Sequence, residues 1–91
     1  MISLVWRETA LDDLETIHAY IAQRDASAAV RLQTIIEACA ERLPEHPYMY
    51  RRGRVEGTRE AVVNPNYLLI YRVGAEAVEI LNVVHARQQY P

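Results

Sequence analysis

The spacing of apolar residues divides the chain into a short strand, two helices and three further strands. Near the start, Ile2, Leu4 and Trp6 alternate with Ser3 and Val5, which predicts a strand. In the two segments that follow, apolar residues recur every three or four positions, the spacing of one helix face. The recurring residues are Ala10, Leu14, Ile17 and Ile21, then Leu32, Ile35, Ile36, Cys39 and Leu43. These segments predict a helical hairpin.

Polar residues and a proline mark the ends of the predicted helices. Thr9 is placed to cap the first helix, and Asp12, three residues later, complements the helix dipole. Asp25 or Ser27 is placed to cap the second helix, and Pro44 prevents its continuation.

Three β-rich segments follow a loop without helix or strand period, "EHPYMYRRGR" at residues 45–54. The strands are predicted at "TREAVV", "YLLIYRV" and "AVEILNVVH", with turns at "NPN" and "GAE" between them. The order β-α-α-β-β-β predicts an α+β fold, with the helical hairpin packed on one face of a mainly antiparallel, four-stranded sheet. Residues 1–91 are expected to form a single domain.

The predicted sheet has more apolar surface than two helices can cover. Residues 67–73 are apolar on both alternating faces apart from Arg72. Because the helices cover one face, the other is closed either by curvature of the chain and the long loop or by a partner protein. Leu81 and Val83 lie on this helix-free face by alternation, which makes them candidate contacts with such a partner or with a target.

The same alternation places the charged residues of the last strands. The even positions of 78–84 form the better core face, so His85 and Arg87 are predicted to project together from the helix-free face if the strand continues that far. A two-residue turn before the last strand brings Arg72 to that face, whereas a three-residue loop brings Tyr71 there.

Composition limits the class of protein. The chain has no apolar run near the 18 residues of a membrane helix, so no membrane association is expected. The first residues lack the basic head and apolar stretch of a signal peptide, and a cytoplasmic location is therefore expected. The lone Cys39 is expected in the core. Because His18, His46 and His85 lack metal-ligand spacing and no glycine-rich phosphate loop is present, no metal or cofactor is expected.

Charge is distributed unevenly although the net charge is only −2. Residues 1–50 carry eight acids and four arginines, whereas residues 51–91 carry four acids and six arginines. All basic residues are Arg, whose planar guanidinium binds carboxylates and phosphates. The second half either forms an anion-binding surface or reflects GC-biased codon usage. The acidic total is a poor match to a protein whose main partner is nucleic acid.

The long loop contains the densest group of arginines. Arg51, Arg52 and Arg54 lie close in sequence to Tyr48 and Tyr50. These side chains either contact a target through charge and aromatic stacking or form a solvated basic loop.

The final segment, "NVVHARQQYP" at residues 82–91, brings three candidate catalytic side chains close in sequence. In phosphodiester cleavage His85 would transfer the proton, Arg87 would stabilise charge on the phosphate, and Tyr90 would assist. A histidine beside an arginine at a strand end is more often solvated or bound to a partner.

The strings "GRVEGTREAVV", "YLLIYRV" and "VEILNVVHARQQYP", with "ALDDLETIHAYIA" near the start, resemble the RelE/ParE family of bacterial toxins. The resemblance covers nearly the whole chain in the right order. It implies a growth-inhibiting toxin of a type II toxin-antitoxin system, of the kind associated with plasmid stabilisation. Such a toxin is neutralised in a hetero-oligomer by a cognate antitoxin, through which operator DNA is bound indirectly.

The two branches of the family differ in target. The RelE-like branch cuts messenger RNA on the ribosome, and the ParE-like branch poisons DNA gyrase without known nuclease chemistry. Of the basic residues expected in RelE-like nucleases, Arg59 and Arg87 match, whereas Ala61 and Leu68 stand where two more are expected. Tyr90 arrives early for the expected terminal tyrosine.

The resemblance therefore favours a non-enzymatic gyrase inhibitor in which Arg59, Arg72 and Arg87 contribute to the functional surface. The alternative is a ribosome-dependent mRNA endoribonuclease that uses His85, Arg87 and Tyr90.

Overall fold

The computed structural model describes residues 2–90 and contains two helices and one five-stranded sheet. The elements in chain order are β1 (Ser3–Trp6), α1 (Glu8–Ala22), α2 (Ala26–Arg42), β2 (Arg51–Arg52), β3 (Arg59–Asn64), β4 (Tyr67–Val73) and β5 (Ala77–His85). The strand order is β1-β5-β4-β3-β2, in which β1 is parallel to β5 and the other pairs are antiparallel. The predicted α+β class is confirmed, with five strands instead of four because the loop contributes β2. Within residues 2–90, neither helix has the length and apolar character needed to cross a membrane.

The helices pack on one face of the sheet and form the main core with it. The main core consists of Ala10, Leu14, Leu32, Ile36, Cys39, Ala40, Leu43, Ala61, Leu69, Tyr71, Val78, Ile80 and Val83. Cys39 is buried there, as predicted. Ile35 was predicted to face the core but is 46% exposed, because the helix turns about 100° between it and the fully buried Ile36.

The two helices begin differently. The second begins as predicted, since Asp25 Oδ1 accepts the backbone N–H of Ala28 at 3.0 Å. The first begins at Glu8, and its N-cap residue Arg7 makes no side-chain capping hydrogen bond. The predicted Thr9 cap is wrong, because the Thr9 hydroxyl donates instead to the Leu81 carbonyl at 2.5 Å and links α1 to β5.

A β-bulge interrupts the pairing of β4 with β5. Ile70 pairs with Asn82, but the next residue of β4, Tyr71, pairs with Ile80, so Leu81 is an extra residue in β5. One extra residue inverts the alternation of every side chain that follows it.

The bulge overturns three predictions about β5. Val83 is 3% exposed in the main core, so it cannot contact a partner as predicted. His85 follows Val83 at the next alternate position and lies on the helix-bearing side with it, instead of projecting from the helix-free face. Val84, predicted to face the helices, packs on the helix-free face.

Asp13 on α1 anchors the bulged segment. Its Oδ2 accepts the Val83 N–H at 2.9 Å and the Asn82 side-chain amide at 3.0 Å. We expect Asp13→Ala to lower the free energy of unfolding by about 1 to 2 kcal/mol, because both donors lose their acceptor. Urea denaturation measures this loss.

The exposed neighbour Asp12 provides the matched control for this prediction. Asp12→Ala removes the same charge from the same turn of the helix and is expected to change stability by less than about 0.5 kcal/mol. Equal losses for the two variants would show that helix-end charge, not the bulge contact, explains the effect.

The chain itself closes most of the helix-free face. Leu68, Ile70 and Val84 form a second small core, each no more than 5% exposed, and Tyr90 packs against them. Of the two possibilities that the sequence left open, closure by the chain is therefore the one observed for these three residues. Val62, which pairs with Leu68 on this face, stays 48% exposed.

Candidate functional site

The arginines of β2 and β3 divide between the two faces of the sheet. Arg51 pairs with Glu60, and Arg52 pairs with Arg59. Because successive side chains of a strand point to opposite faces, Arg51 and Glu60 share the helix-free side. Arg52 and Arg59 share the helix-bearing side, where Arg59 also pairs with the buried Tyr71.

Glu60 is a buried carboxylate held between two arginines. It is 3% exposed, and its Oε1 accepts from Arg51 Nε at 3.1 Å and lies 3.0 Å from Nη2. Its Oε2 accepts the backbone N–H of Arg54 at 3.2 Å and lies 3.8 Å from Arg54 Nε. Arg51 and Arg54 are therefore paired internally. Sequence reasoning missed Glu60, although an acid inside an apolar strand that follows tandem arginines was a usable signal.

Arg54 also holds the C-terminal tail over the helix-free face. Its Nη1 donates to the Tyr90 carbonyl at 2.8 Å, and its Cζ lies 6.0 Å from the centre of the Tyr90 ring. The ring itself packs on the second core. A continuous set of contacts therefore joins Glu60 to Arg54 and Arg54 to Tyr90.

His85 occupies a different environment, beside α1. Its ring meets Tyr67 edge-on, with centroids 5.2 Å apart, and it lines a cavity of about 260 Å³ that also includes Asp13 and Thr16. The backbone N–H of Arg87 donates to His85 Nδ1 at 3.1 Å. Nδ1 is thus occupied as an acceptor, which in a neutral imidazole leaves the proton on Nε2.

The three candidate catalytic residues do not form one constellation. β5 ends at His85, and Arg87 lies in the turn that follows, so the predicted pair on one strand face is not formed. Tyr90 lies on the opposite side of the sheet from His85, against the second core. Sequence proximity suggested a cluster, but the strand ends before Arg87, and the inverted alternation separates His85 from Tyr90.

The other candidate functional arginine, Arg72, lies on the helix-free side at the end of β4. Val73 pairs with Val78, so the connection is longer than either predicted turn, and Arg72 lies directly opposite Glu79. Arg72 Nε donates to Glu79 Oε2 at 3.3 Å. Arg87 follows the other end of β5, roughly 20 Å away along the strand. Arg59, Arg72 and Arg87 thus lie in three separate places.

Tyr48 and Tyr50 point in opposite directions around Arg59. Arg59 Nη1 donates to the Tyr50 carbonyl at 2.7 Å, and its Cζ lies 4.9 Å from the centre of the Tyr48 ring, which is 66% exposed. The Tyr50 hydroxyl faces inward, 3.9 Å from Cys39 Sγ, and burial raises the pKa of Tyr50 above its ordinary value. Tyr48 is therefore the accessible member of the pair.

A cavity of about 390 Å³ opens beside Tyr48, on the helix-bearing side of β2 and β3. Arg52 and Arg59 line it, together with Thr58 and the apolar Val55 and Val73. Its volume lies within the range of small-ligand sites in proteins.

The two positions where a RelE-like nuclease would have basic residues are buried on opposite faces of the sheet. Ala61 is 0% exposed beneath the helices, and Leu68 is 5% exposed beneath the tail. Neither side chain supplies a positive charge. Because the two positions lie on opposite faces, they could not contribute to one binding surface.

The profile of the family described as "ParE toxin of type II toxin-antitoxin system, parDE" matches residues 4–90. The protein Y4kP of Sinorhizobium fredii is 41% identical over 87 residues, which cover 94% of this chain and 90% of that protein. Toxin RelE2 of Caulobacter vibrioides is 38% identical over 88 residues, covering 94% and 97%. The fold is similar to a structure of the chromosomal ParDE TA system from P. aeruginosa, with a TM-score of 0.85 at 21% identity, covering 93% of this chain and 96% of that chain.

Proposed function

Because this chain belongs to the ParE toxin family of type II toxin-antitoxin systems, we propose that it inhibits growth by binding DNA gyrase and that a cognate antitoxin neutralises it. In this proposal the chain acts by occupying a surface of its target and performs no bond cleavage of its own.

The separation of Tyr90 from His85, on opposite sides of the sheet, is the observation that carries the proposal. In the predicted site, cleavage by an internal hydroxyl requires the proton-transferring His85 and the assisting Tyr90 to reach the same phosphate. Here the Nδ1 of His85 accepts the Arg87 backbone N–H, and Tyr90 is held on the other side of the sheet by Arg54. The apolar Ala61 and Leu68 add no donor.

Charge supports the same choice of target. A nuclease that works on the ribosome must approach a polyanionic surface, and positive charge speeds such an encounter. This chain has a net charge of −2, and Glu60 and Glu79 pair with four of its ten arginines, Arg7, Arg51, Arg54 and Arg72. Little positive charge remains to attract RNA over a distance.

Induction of the chain in growing cells tests the proposal. Gyrase poisoning is expected to induce the DNA damage response while transcripts remain intact, and purified chain is expected to inhibit supercoiling by gyrase. Co-expression of the protein encoded by the neighbouring gene is expected to restore growth. Codon-positioned cuts in ribosome-bound messages, without a DNA damage response, would instead establish the endoribonuclease alternative.

Variants of the tail distinguish the two activities residue by residue. His85→Ala and Tyr90→Phe remove groups needed only for RNA cleavage, so both variants are expected to retain toxicity. Arg87→Ala is expected to lower toxicity, because a charged donor in the exposed turn contributes to binding. The control Arg31→Ala removes the same charge from the exposed surface of α2 and is expected to remain fully toxic. Loss of toxicity with His85→Ala, in a variant that still folds, would contradict a purely binding mechanism.

A further inference from the structure

We propose that Arg52 and Arg59 form a binding pocket for a single carboxylate on an apolar segment of a partner protein. The pocket is the cavity of about 390 Å³ between β2, β3 and Tyr48, called here the Arg52–Arg59 pocket. The inference deepens the proposed function, on which it rests, by naming the chemistry of the segment that docks on the toxin.

The first observation is the pairing of two like charges. Arg52 and Arg59 lie directly opposite each other on antiparallel strands, where cross-strand Cβ atoms are about 5 Å apart. Like charges in such a pair destabilise a sheet unless an anion lies between them. Among residues 2–90, no carboxylate lies within ion-pair distance of either guanidinium, whereas the neighbouring Arg51 and Arg54 share Glu60.

The second observation is that Arg59 is already oriented. The Tyr50 carbonyl accepts from its Nη1 at 2.7 Å, and the Tyr48 ring lies 4.9 Å from its Cζ. The remaining N–H groups of this guanidinium have no acceptor among the described residues. A planar guanidinium held in this way loses little freedom when it binds a carboxylate through two parallel hydrogen bonds.

The wall of the pocket is also fixed by internal contacts. Gly53 N–H donates to the Thr58 carbonyl at 2.8 Å, and a side chain at Gly53 would collide with the Thr58 hydroxyl. That hydroxyl donates to the Val55 carbonyl at 2.6 Å. The loop between β2 and β3 is therefore tightly folded, so the pocket exists before a ligand arrives.

The lining indicates which anion fits. Val55, Val73 and the exposed Tyr48 present apolar and aromatic surface next to the two charges, which suits a carboxylate carried on an apolar peptide. Glu56 is the acid among the lining residues, and it repels ligands with several negative charges. The same repulsion and the net charge of −2 disfavour a nucleic acid strand.

Amide NMR titration of the full chain with two capped tripeptides tests the inference. The probe is acetyl-Leu-Asp-Leu-amide, and the control is acetyl-Leu-Asn-Leu-amide, which has the same shape without the charge. We expect the acidic peptide to shift the amide signals of Gly53 and Thr58 in a saturable manner and the control peptide to leave them unchanged. Inorganic phosphate and hexathymidine are titrated in parallel.

Arg52→Gln is the informative variant, because the Arg52 side chain makes no hydrogen bond within residues 2–90 and the β2–β3 pairing uses only its backbone. We expect the variant to bind the acidic peptide about tenfold more weakly, since a charge-assisted donor is lost. Its unfolding temperature is expected to be unchanged or higher, because the repulsion of Arg59 is removed. The control Arg31→Gln makes the same charge change on α2 and is expected to keep the affinity within about twofold.

Four results would overturn the pocket. The first is an absence of saturable shifts at Gly53 and Thr58, and the second is binding of the Asn peptide as tightly as the Asp peptide. The third is an affinity of Arg52→Gln for the Asp peptide equal to that of the unchanged chain. The fourth is Arg52-dependent binding of phosphate or hexathymidine that is tighter than binding of the Asp peptide. Failure of the proposed function is recognised separately. Gyrase poisoning in cells without peptide binding overturns the pocket alone, whereas peptide binding by a chain that cuts messages overturns the gyrase proposal alone.

Discussion

Glu60→Gln is expected to lower the free energy of unfolding by about 2 to 3 kcal/mol, more than any other single charge removal in the chain. The carboxylate is buried, whereas the side chains of its partners Arg51 and Arg54 are 61% and 47% exposed. The substitution therefore removes two charge-assisted contacts in the protein interior, while the arginines regain water. An amide oxygen still accepts the Arg54 backbone N–H, which keeps the loss below that of a fully orphaned buried charge.

Glu79 provides a control with the same number of partners. It also contacts two arginines, Arg7 at 3.2 Å and Arg72 at 3.3 Å, but its side chain is 23% exposed and those of the arginines are more than half exposed. Solvent screens such pairs, so Glu79→Gln is expected to cost less than about 1 kcal/mol. Urea denaturation of both variants measures the difference. Equal losses would show that burial of Glu60 contributes nothing to the strength of its contacts.

The same variant reports on the tail. Arg54 contacts both Glu60 and Tyr90, so the loss of the carboxylate is expected to loosen the hold of Arg54 on the tail. Faster amide hydrogen exchange at residues 86–90 in Glu60→Gln, and not in Glu79→Gln, is the expected result. Unchanged exchange would mean that packing on the second core is enough to hold Tyr90.

Tyr71 is expected to make the chain sensitive to alkaline pH. Its ring is fully buried, its hydroxyl donates to the Pro47 carbonyl at 2.7 Å, and burial raises its pKa from the ordinary value of 10 to about 12 although the nearby charge of Arg59 opposes the shift. In the unfolded chain the group loses its proton near pH 10, whereas in the folded chain it retains the proton to about pH 12. The folded state then binds more protons, so stability falls as pH rises through this range.

The expected loss from this group between pH 10 and 12 is about 2 to 3 kcal/mol. In Tyr71→Phe this component of the pH dependence disappears, and stability at neutral pH is about 1 kcal/mol lower because the Pro47 carbonyl loses its donor. Urea midpoints measured from pH 8 to pH 12 test both statements. Tyr20→Phe, at a 58% exposed tyrosine, is expected to leave the profile unchanged, and the slope that remains in Tyr71→Phe is assigned to Tyr50.

The local elements were readable from the sequence because their signals depend on neighbours. The 3.6-residue spacing of Leu14 and Leu32 with their apolar partners follows from packing one helix face, and Asp25 caps the turn that immediately follows it. The strands β3, β4 and β5, the order of the elements and the burial of Cys39 were predicted for the same reason. The family was also recognisable, because its strings extend along nearly the whole chain.

The functional surfaces, in contrast, were decided by pairing between distant segments. Asp13 and Val83 are 70 positions apart, and the bulge that they stabilise inverts His85 relative to any alternation counted along β5. The register of β2 against β3 places Arg52 opposite Arg59 and Arg51 opposite Glu60.

By itself, then, the sequence determined the α+β class, the helical hairpin, the order of the predicted elements along the chain and the toxin family. Only the tertiary structure decided that "NVVHARQQYP" does not form one catalytic cluster. It also decided that Arg51 and Arg54 pair with Glu60, whereas Arg52 and Arg59 line an open pocket. The physical reason is that a strand's period is local, whereas one extra residue or one shift in register, set by contacts across the sheet, reverses which side chains meet.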